Sequence, residues 1–233
     1  MRDFIFILIF FVTFNDVIYA RILKSIQIDF EKHSREKDRQ EIIKGTVYFQ
    51  ASGKIVVFVR EPVNQWMIYR KDELIIYYPV EKRGFCFTTR FPPYPSFFQA
   101  FLGAVKEDYG LTDIGYTLSN HEINADTLTT WWNPPKRLSK QLGNFILVYV
   151  SNKITYAESR KSDGSISSKS FYDNHITHGV NYFPLKISTV RYAEADSSLE
   201  NIFYNNPQFN INLPDIVKNF KLPSDAEIKK IKW

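Results

Sequence analysis

Six short runs of strand-forming residues lie between residues 25 and 89, and each is separated from the next by a turn. In the first (SIQIDFEKH), Ile26, Ile28 and Phe30 alternate with polar neighbours. A period of two marks a half-buried strand. Residues 34–40 are all polar and read as a hairpin tip. Residues 41–50, 54–60, 65–69, 74–78 and 84–89 return as strands, with turns at Ala51-Ser52-Gly53, Pro62, Arg70 to Glu73, and Pro79. Strands joined by connections this short pair with their sequence neighbours, which predicts a meandering antiparallel sheet.

The sheet is interrupted once. After Phe91-Pro92-Pro93-Tyr94-Pro95, residues 96–106 place Phe97, Phe98, Phe101, Leu102 and Val105 at helical spacing, with Pro95 at the helix entry. Strand signals resume at residues 115–119, 127–132, 145–150, 153–159, 166–172 and 185–192, with a strong turn at Ser162-Asp163-Gly164-Ser165. From about residue 205 the chain reads as irregular, because Pro207, Pro214 and Pro223 forbid long helices. Internal repeats and low-complexity linkers are absent, so residues 21–233 read as a single domain. The 20 Phe, 14 Tyr and 4 Trp are a high aromatic load for 233 residues. Side chains of this kind fill a core, line a cavity or cover a surface.

The N-terminus reads as an export signal. Arg2 precedes an apolar run at residues 4–14, and Ala20 closes the stretch with a small residue. This is the layout of a secretory signal peptide over residues 1–20. The run is short for a bilayer span, which needs roughly 20 apolar residues; an uncleaved anchor is the other reading. Cleavage after Ala20 changes 30 basic and 25 acidic residues to 29 and 23, a charge of +6. That excess suits an anionic membrane surface. No stripe of Lys and Arg with interleaved aromatics points to nucleic acid.

Residue patterns for catalysis are missing. Nucleophile-elbow, phosphate-loop and HExxH motifs do not occur. His175 and His178 lack further ligands in the sequence around them for a metal shell. Cys86, the single cysteine, sits between Phe85 and Phe87 and reads as a small buried hydrophobe. Trp131-Trp132-Asn133-Pro134-Pro135 reads either as a packed strand end or as a partner surface.

Residues 45–79, with Gly45, Pro62, Leu74, Tyr77 and Pro79, resemble the signature stretch of the LolA-type periplasmic lipoprotein carriers. The Phe-rich helix after the sixth strand, the Asp163-Gly164 turn and the Phe209 to Pro214 segment fit the same layout. The resemblance is good over roughly residues 25–110 and is one of layout beyond. It implies a mainly β fold: a strongly curved, incompletely closed antiparallel β-barrel covered by a helical lid. It also implies a carrier, without catalysis or cofactor, that shields acyl chains of lipoproteins or another amphiphile across the periplasm. Its partners would be an inner-membrane release complex and an outer-membrane acceptor, and the carrier would be a monomer. Two departures stand out: the first strand starts about five residues after Ala20, so the family's opening helix is missing or very short, and Ala51 takes the place of a basic residue.

An acyl chain needs apolar side chains at alternate strand positions on one face, since each buried CH₂ contributes about 0.8 kcal/mol. On the resemblance, that wall is Val47, Phe49, Ile55, Val57, Val59, Trp66, Ile68, Ile75 and Tyr77, and the lid is Phe97, Phe98, Phe101 and Leu102. An ordinary half-buried sheet core would use the same alternation. The alternative function is a sensor or adaptor of the same fold that binds a protein or lipid signal without transporting it.

Overall fold

The computed structural model describes residues 23–70, 73–88, 108–179, 181–193 and 196–232. The export signal over residues 1–20 and the helix over 96–106, with Phe97, Phe98, Phe101 and Leu102, lie outside the described residues.

The first six strands follow the alternation closely. They are β1 (Ser25–Glu36), β2 (Arg39–Gln50), β3 (Ile55–Glu61), β4 (Gln65–Arg70), β5 (Glu73–Tyr78) and β6 (Arg83–Thr88). Each pairs antiparallel with the next. A second meander follows: β7 (Thr117–Asn124), β8 (Thr127–Asn133), β9 (Phe145–Val150), β10 (Lys153–Arg160), β11 (Ile166–His178), β12 (Asn181–Tyr192) and β13 (Ser197–Phe209). β13 turns back onto β1, with Phe30 opposite Tyr204 and Lys32 opposite Ile202. The two meanders thereby become one sheet with the order β14-β6-β5-β4-β3-β2-β1-β13-β12-β11-β10-β9-β8-β7.

Among the described residues β7 and β14 are the two ends of this order, and no ladder joins them, so the sheet is curved but not closed. Register shifts in the β1–β13, β2–β3, β7–β8, β9–β10 and β10–β11 ladders supply bends along it.

Two features depart from the sequence reading. β13 is a central strand that the alternation does not mark out, because Glu200 interrupts its inward row of Ile202 and Tyr204. The C-terminus is irregular only over residues 210–226; it ends in β14 (Glu227–Lys232), which pairs parallel with β6. Among the described residues no α-helix covers the inner face, and the expected lid at residues 96–106 lies outside them. Among the described residues the one α-helix is the four-residue α1 (Asp215–Lys218), and it packs on the opposite face of the sheet from the main core.

Residues 210–226 form a strap across the outside of β2 to β6. Leu213, Val217 and Phe220 cover Val56, Ile68, Ile75, Tyr77 and Cys86. Lys54 Nζ donates to the carbonyls of Val217 (2.6 Å) and Lys218 (2.9 Å), where the last turn of α1 presents its unpaired acceptors.

Gly45 shows how tightly the other side is built. It lies opposite Phe30, at a register shift between β2 and β3. A Cβ there would stand 2.3 Å from the Phe58 carbonyl oxygen and 2.8 Å from the Phe30 ring. Gly45→Ala is expected to lower stability by about 1–3 kcal/mol, through overpacking against backbone that cannot swing away. Urea unfolding checks this, and an unchanged midpoint would show that the ring and strand yield freely.

Candidate functional site: the inner face of the sheet

The larger apolar cluster spans the sheet from β5 to β8. Its residues come from one face of each strand, here termed the inner face. The cross-strand register lays that face out as rows, because opposed residues in a ladder share a face.

One row reads Phe209, Ile26, Phe49, Ile55, Tyr69, Leu74, Phe87. The next reads Ile28, Val47, Val57, Met67, Ile76. A third holds Tyr204, Phe30, Gly45, Val59 and Gln65. Ile26, Ile28 and Val57 are fully buried.

The nine wall residues expected from the sequence therefore divide. Val47, Phe49, Ile55, Val57 and Val59 share the inner face. Trp66, Ile68, Ile75 and Tyr77 lie on the outer face, under the strap, where Trp66 stacks on Phe58 with ring centroids 4.5 Å apart and meets Phe220 at 5.6 Å. The pairing of Val59 with Gln65 and Val57 with Met67 fixes the parity. The one-residue slip from β4 onward arises because Trp66, Met67, Ile68 and Tyr69 are all apolar. Alternation cannot tell the faces apart when both are covered. Met67, Tyr69 and Leu74 take the inner positions instead.

Toward the other end of β1 and β11 to β13 the inner face changes character. The fourth row is Tyr172, Ile187, Ile202, Lys32 and Ile43. The fifth is Ala157, Ser170, Thr189, Glu200, Ser34 and Glu41. The sixth is Ser159, Ser168, Arg191 and Ser198. Serine and threonine at these positions read as solvent-facing in the sequence. Only their register with Tyr172, Ile187 and Ile202 shows that they point inward.

Tyrosines mark the boundary between the two regions. Tyr109, from the connection into β7, accepts a hydrogen bond from the Tyr172 hydroxyl and packs on Phe145 at 5.7 Å. Tyr116 from the same connection reaches the Gly143 carbonyl at 3.2 Å. Burial pushes the Tyr109 hydroxyl up to about 12, although its bond with Tyr172 and the nearby Arg191 charge oppose this. Burial likewise pushes Tyr172 and Tyr204 well above the ordinary tyrosine value.

The remaining sequence candidates have structural partners. His175 Nε2 lies 2.8 Å from the Ile154 carbonyl, and His178 stacks on Phe209 with ring centroids 4.3 Å apart. Among the described residues no group of His, Cys, Asp and Glu is arranged to hold a metal ion. The Cys86 thiol donates to Glu73 Oε1 at 3.2 Å, and burial pushes its pKa up. The tryptophan pair splits: Trp132 is buried on the inner face with Nε1 donating to Thr130, and Trp131 lines an outer depression of about 280 Å³ with Glu122, Asn124, Thr127 and Thr129. No helix among the described residues is long and apolar enough to cross a membrane.

No protein-family model matches the chain, and no curated protein sequence does. Solved structures do match in fold. A LolA superfamily protein from Nitrosomonas europaea superposes with a TM-score of 0.55 at 14% identity, covering 86% of this chain and 94% of its own. A domain named for outer membrane lipoprotein sorting from Vibrio parahaemolyticus gives 0.62 at 11% identity, covering 82% and 88%. A DUF1329 family protein from Desulfovibrio piger gives 0.58 at 14% identity, covering 84% and 90%. The chain has a LolA-like fold.

Because the three tyrosines titrate above their unfolded value near 10, the stability they contribute is complete below pH 10 and is lost as pH rises beyond it. An alkaline titration followed by tyrosinate absorbance should show Tyr109, Tyr172 and Tyr204 among the tyrosines that ionise only as the fold is lost, with one fewer such tyrosine in Tyr172→Phe. Ionisation of every tyrosine near pH 10 with the fold intact would contradict the placement.

Proposed function

We propose that the protein is a periplasmic carrier that shelters acyl chains of lipoproteins, or of another amphiphile, against its inner face and delivers them toward the outer membrane. The observation that carries this reading is the combination of a continuous apolar inner face with a sheet whose ends are not paired. Spreading such a sheet breaks no ladder between β7 and β14. β7 is exposed along its whole length, so its side of the opening is lightly held.

The dimensions suit an acyl chain. From the Lys32 row to the Ile26 row is six residues along β1, roughly 20 Å at about 3.3 Å per residue. Half the hydrocarbon core of a bilayer is roughly 15 Å. Burial of one chain supplies on the order of 10 kcal/mol at about 0.8 kcal/mol per CH₂. Non-directional contacts of this kind hold and release a cargo without chemistry, in keeping with a binding protein rather than an enzyme. Fold neighbours that carry the LolA and lipoprotein-sorting names support the same assignment and the periplasmic setting.

A charge introduced on each face separates cargo binding from folding. Val57→Asp, on the inner face, is expected to reduce capture of a fluorescent fatty acid at least tenfold. Ile68→Asp, on the outer face, should loosen the strap and lower stability while leaving capture by the folded fraction within twofold. Equal capture by wild type and Val57→Asp would remove the inner face as the site. Absence of capture by wild type would favour the adaptor role.

A further inference from the structure

The polar end of the inner face is unusual for a sheet interior. Lys32, Arg191 and Glu200 meet there on three adjacent strands, with Ser168, Ser170 and Thr189 beside them. Lys32 Nζ stands 3.4 Å from Glu200 Oε2, and the two side chains are only 13% and 10% exposed. Arg191 Nη2 stands 3.9 Å from Glu200 Oε1 and is 44% exposed. Both separations exceed the roughly 2.7–2.9 Å of a tight charge-assisted hydrogen bond.

Among the described residues Glu200 Oε1 accepts no hydrogen bond, although Glu200 is 8% exposed. A buried carboxylate left short of donors is costly. Lys32 and Arg191 both lie within 4 Å of the one buried carboxylate, Glu200, while Glu41, Glu36 and Arg39, farther along the same rows, are exposed to solvent. The hydroxyls pair with their neighbours, Ser170 with Thr189 at 2.8 Å and with Tyr172, and Ser168 with Ser159 at 2.9 Å, and each keeps further donor or acceptor capacity.

These groups ask for two things at once. The half-exposed Arg191 guanidinium, Lys32 and the hydroxyls suit an anionic oxygen group, and the open Glu200 oxygen suits an N–H donor. The apolar rows beginning at Tyr172, Ile187 and Ile202 lie directly beside them.

We infer that this cluster is a head-group subsite for a phospholipid bearing both a phosphate and a primary ammonium, with Arg191 and Lys32 facing the phosphate and Glu200 accepting from the ammonium. The inference rests on the carrier reading and narrows its cargo. A diacylglyceryl thioether anchor has acyl chains but no phosphate, so it would satisfy the apolar rows and leave the cluster unanswered. Seated in the subsite, the phosphate is positioned to bridge Arg191 and the Ser168 and Ser170 hydroxyls, while the acyl chains run along β1 and β13 toward Phe49 and Ile55. Binding needs no covalent step.

The full chain, purified without detergent, is incubated with vesicles of phosphatidylethanolamine, of phosphatidylglycerol, and of either doped with diacylglycerol. The lipid carried off by the protein is then quantified. Wild type is expected to retain phosphatidylethanolamine at least fivefold over phosphatidylglycerol, and both at least tenfold over diacylglycerol. Glu200→Gln should bring the two phospholipids to within twofold of each other. Arg191→Gln should lower both toward the diacylglycerol level, and Arg191→Lys should restore most of the loss. Circular dichroism confirms that each variant folds, and Thr189→Val serves as a second probe if Arg191→Gln does not. Diacylglycerol carried as well as the phospholipids would overturn the head-group assignment while leaving the carrier standing. No lipid of any kind carried by wild type would overturn both.

Discussion

The β1–β13 ladder is the interaction on which the rest of the molecule depends. Without it the chain is two separate meanders, β2 to β6 trailing from one side of β1 and β7 to β12 from the other side of β13. The ladder joins residues more than 160 apart in sequence. Closing such a loop is entropically costly and is offset only by contacts along the whole strand. Those contacts are built on both faces. Inside, Phe30 opposes Tyr204 and Phe183 meets the Tyr204 ring edge-on at 5.6 Å. Outside, Asp29 accepts from Thr46 on β2 (2.6 Å) and Asn206 on β13 (3.3 Å), tying three strands together. Burial pushes the Asp29 carboxyl up, but these hydrogen bonds and the Arg60 guanidinium outweigh it and hold the pKa below its ordinary value.

Joining the meanders also creates the inner face. The apolar rows run mainly through β1 to β5, and the polar rows run through β1 and β10 to β13. Their meeting along β1 and β13 makes a surface that is greasy at one end and charged at the other. Neither meander alone has that gradient. The strap over residues 210–226 completes the arrangement by covering the outer side of β2 to β6. Those strands can therefore be apolar on both faces without exposing a wide hydrophobic surface.

That double coverage is also what limited the reading of the sequence. β1 and β2 have one clear apolar row each, and Val47 and Phe49 fall together as their alternation implies; Ile55, Val57 and Val59 of β3 join them on the inner face although Val56 and Phe58 make β3 apolar on both faces. In β4 and β5 nearly every residue is apolar, and Trp66, Ile68, Ile75 and Tyr77 land on the strap side. The strap itself is built from scattered residues such as Leu213, Val217 and Phe220 between prolines, which have no periodicity to read. β13 was hidden by Glu200 and by Asn205-Asn206-Pro207. The polar rows were hidden because Ser168, Ser170 and Thr189 look like surface residues until their cross-strand partners are known.

Native mass spectrometry of the full-length protein, recovered from its native cells without detergent, tests the central claim most directly. A carrier whose inner face holds acyl chains should appear with an added mass that matches a diacyl lipid or lipoprotein and is lost on delipidation. A single bare species in wild type, unchanged after exposure to lipid, would contradict it.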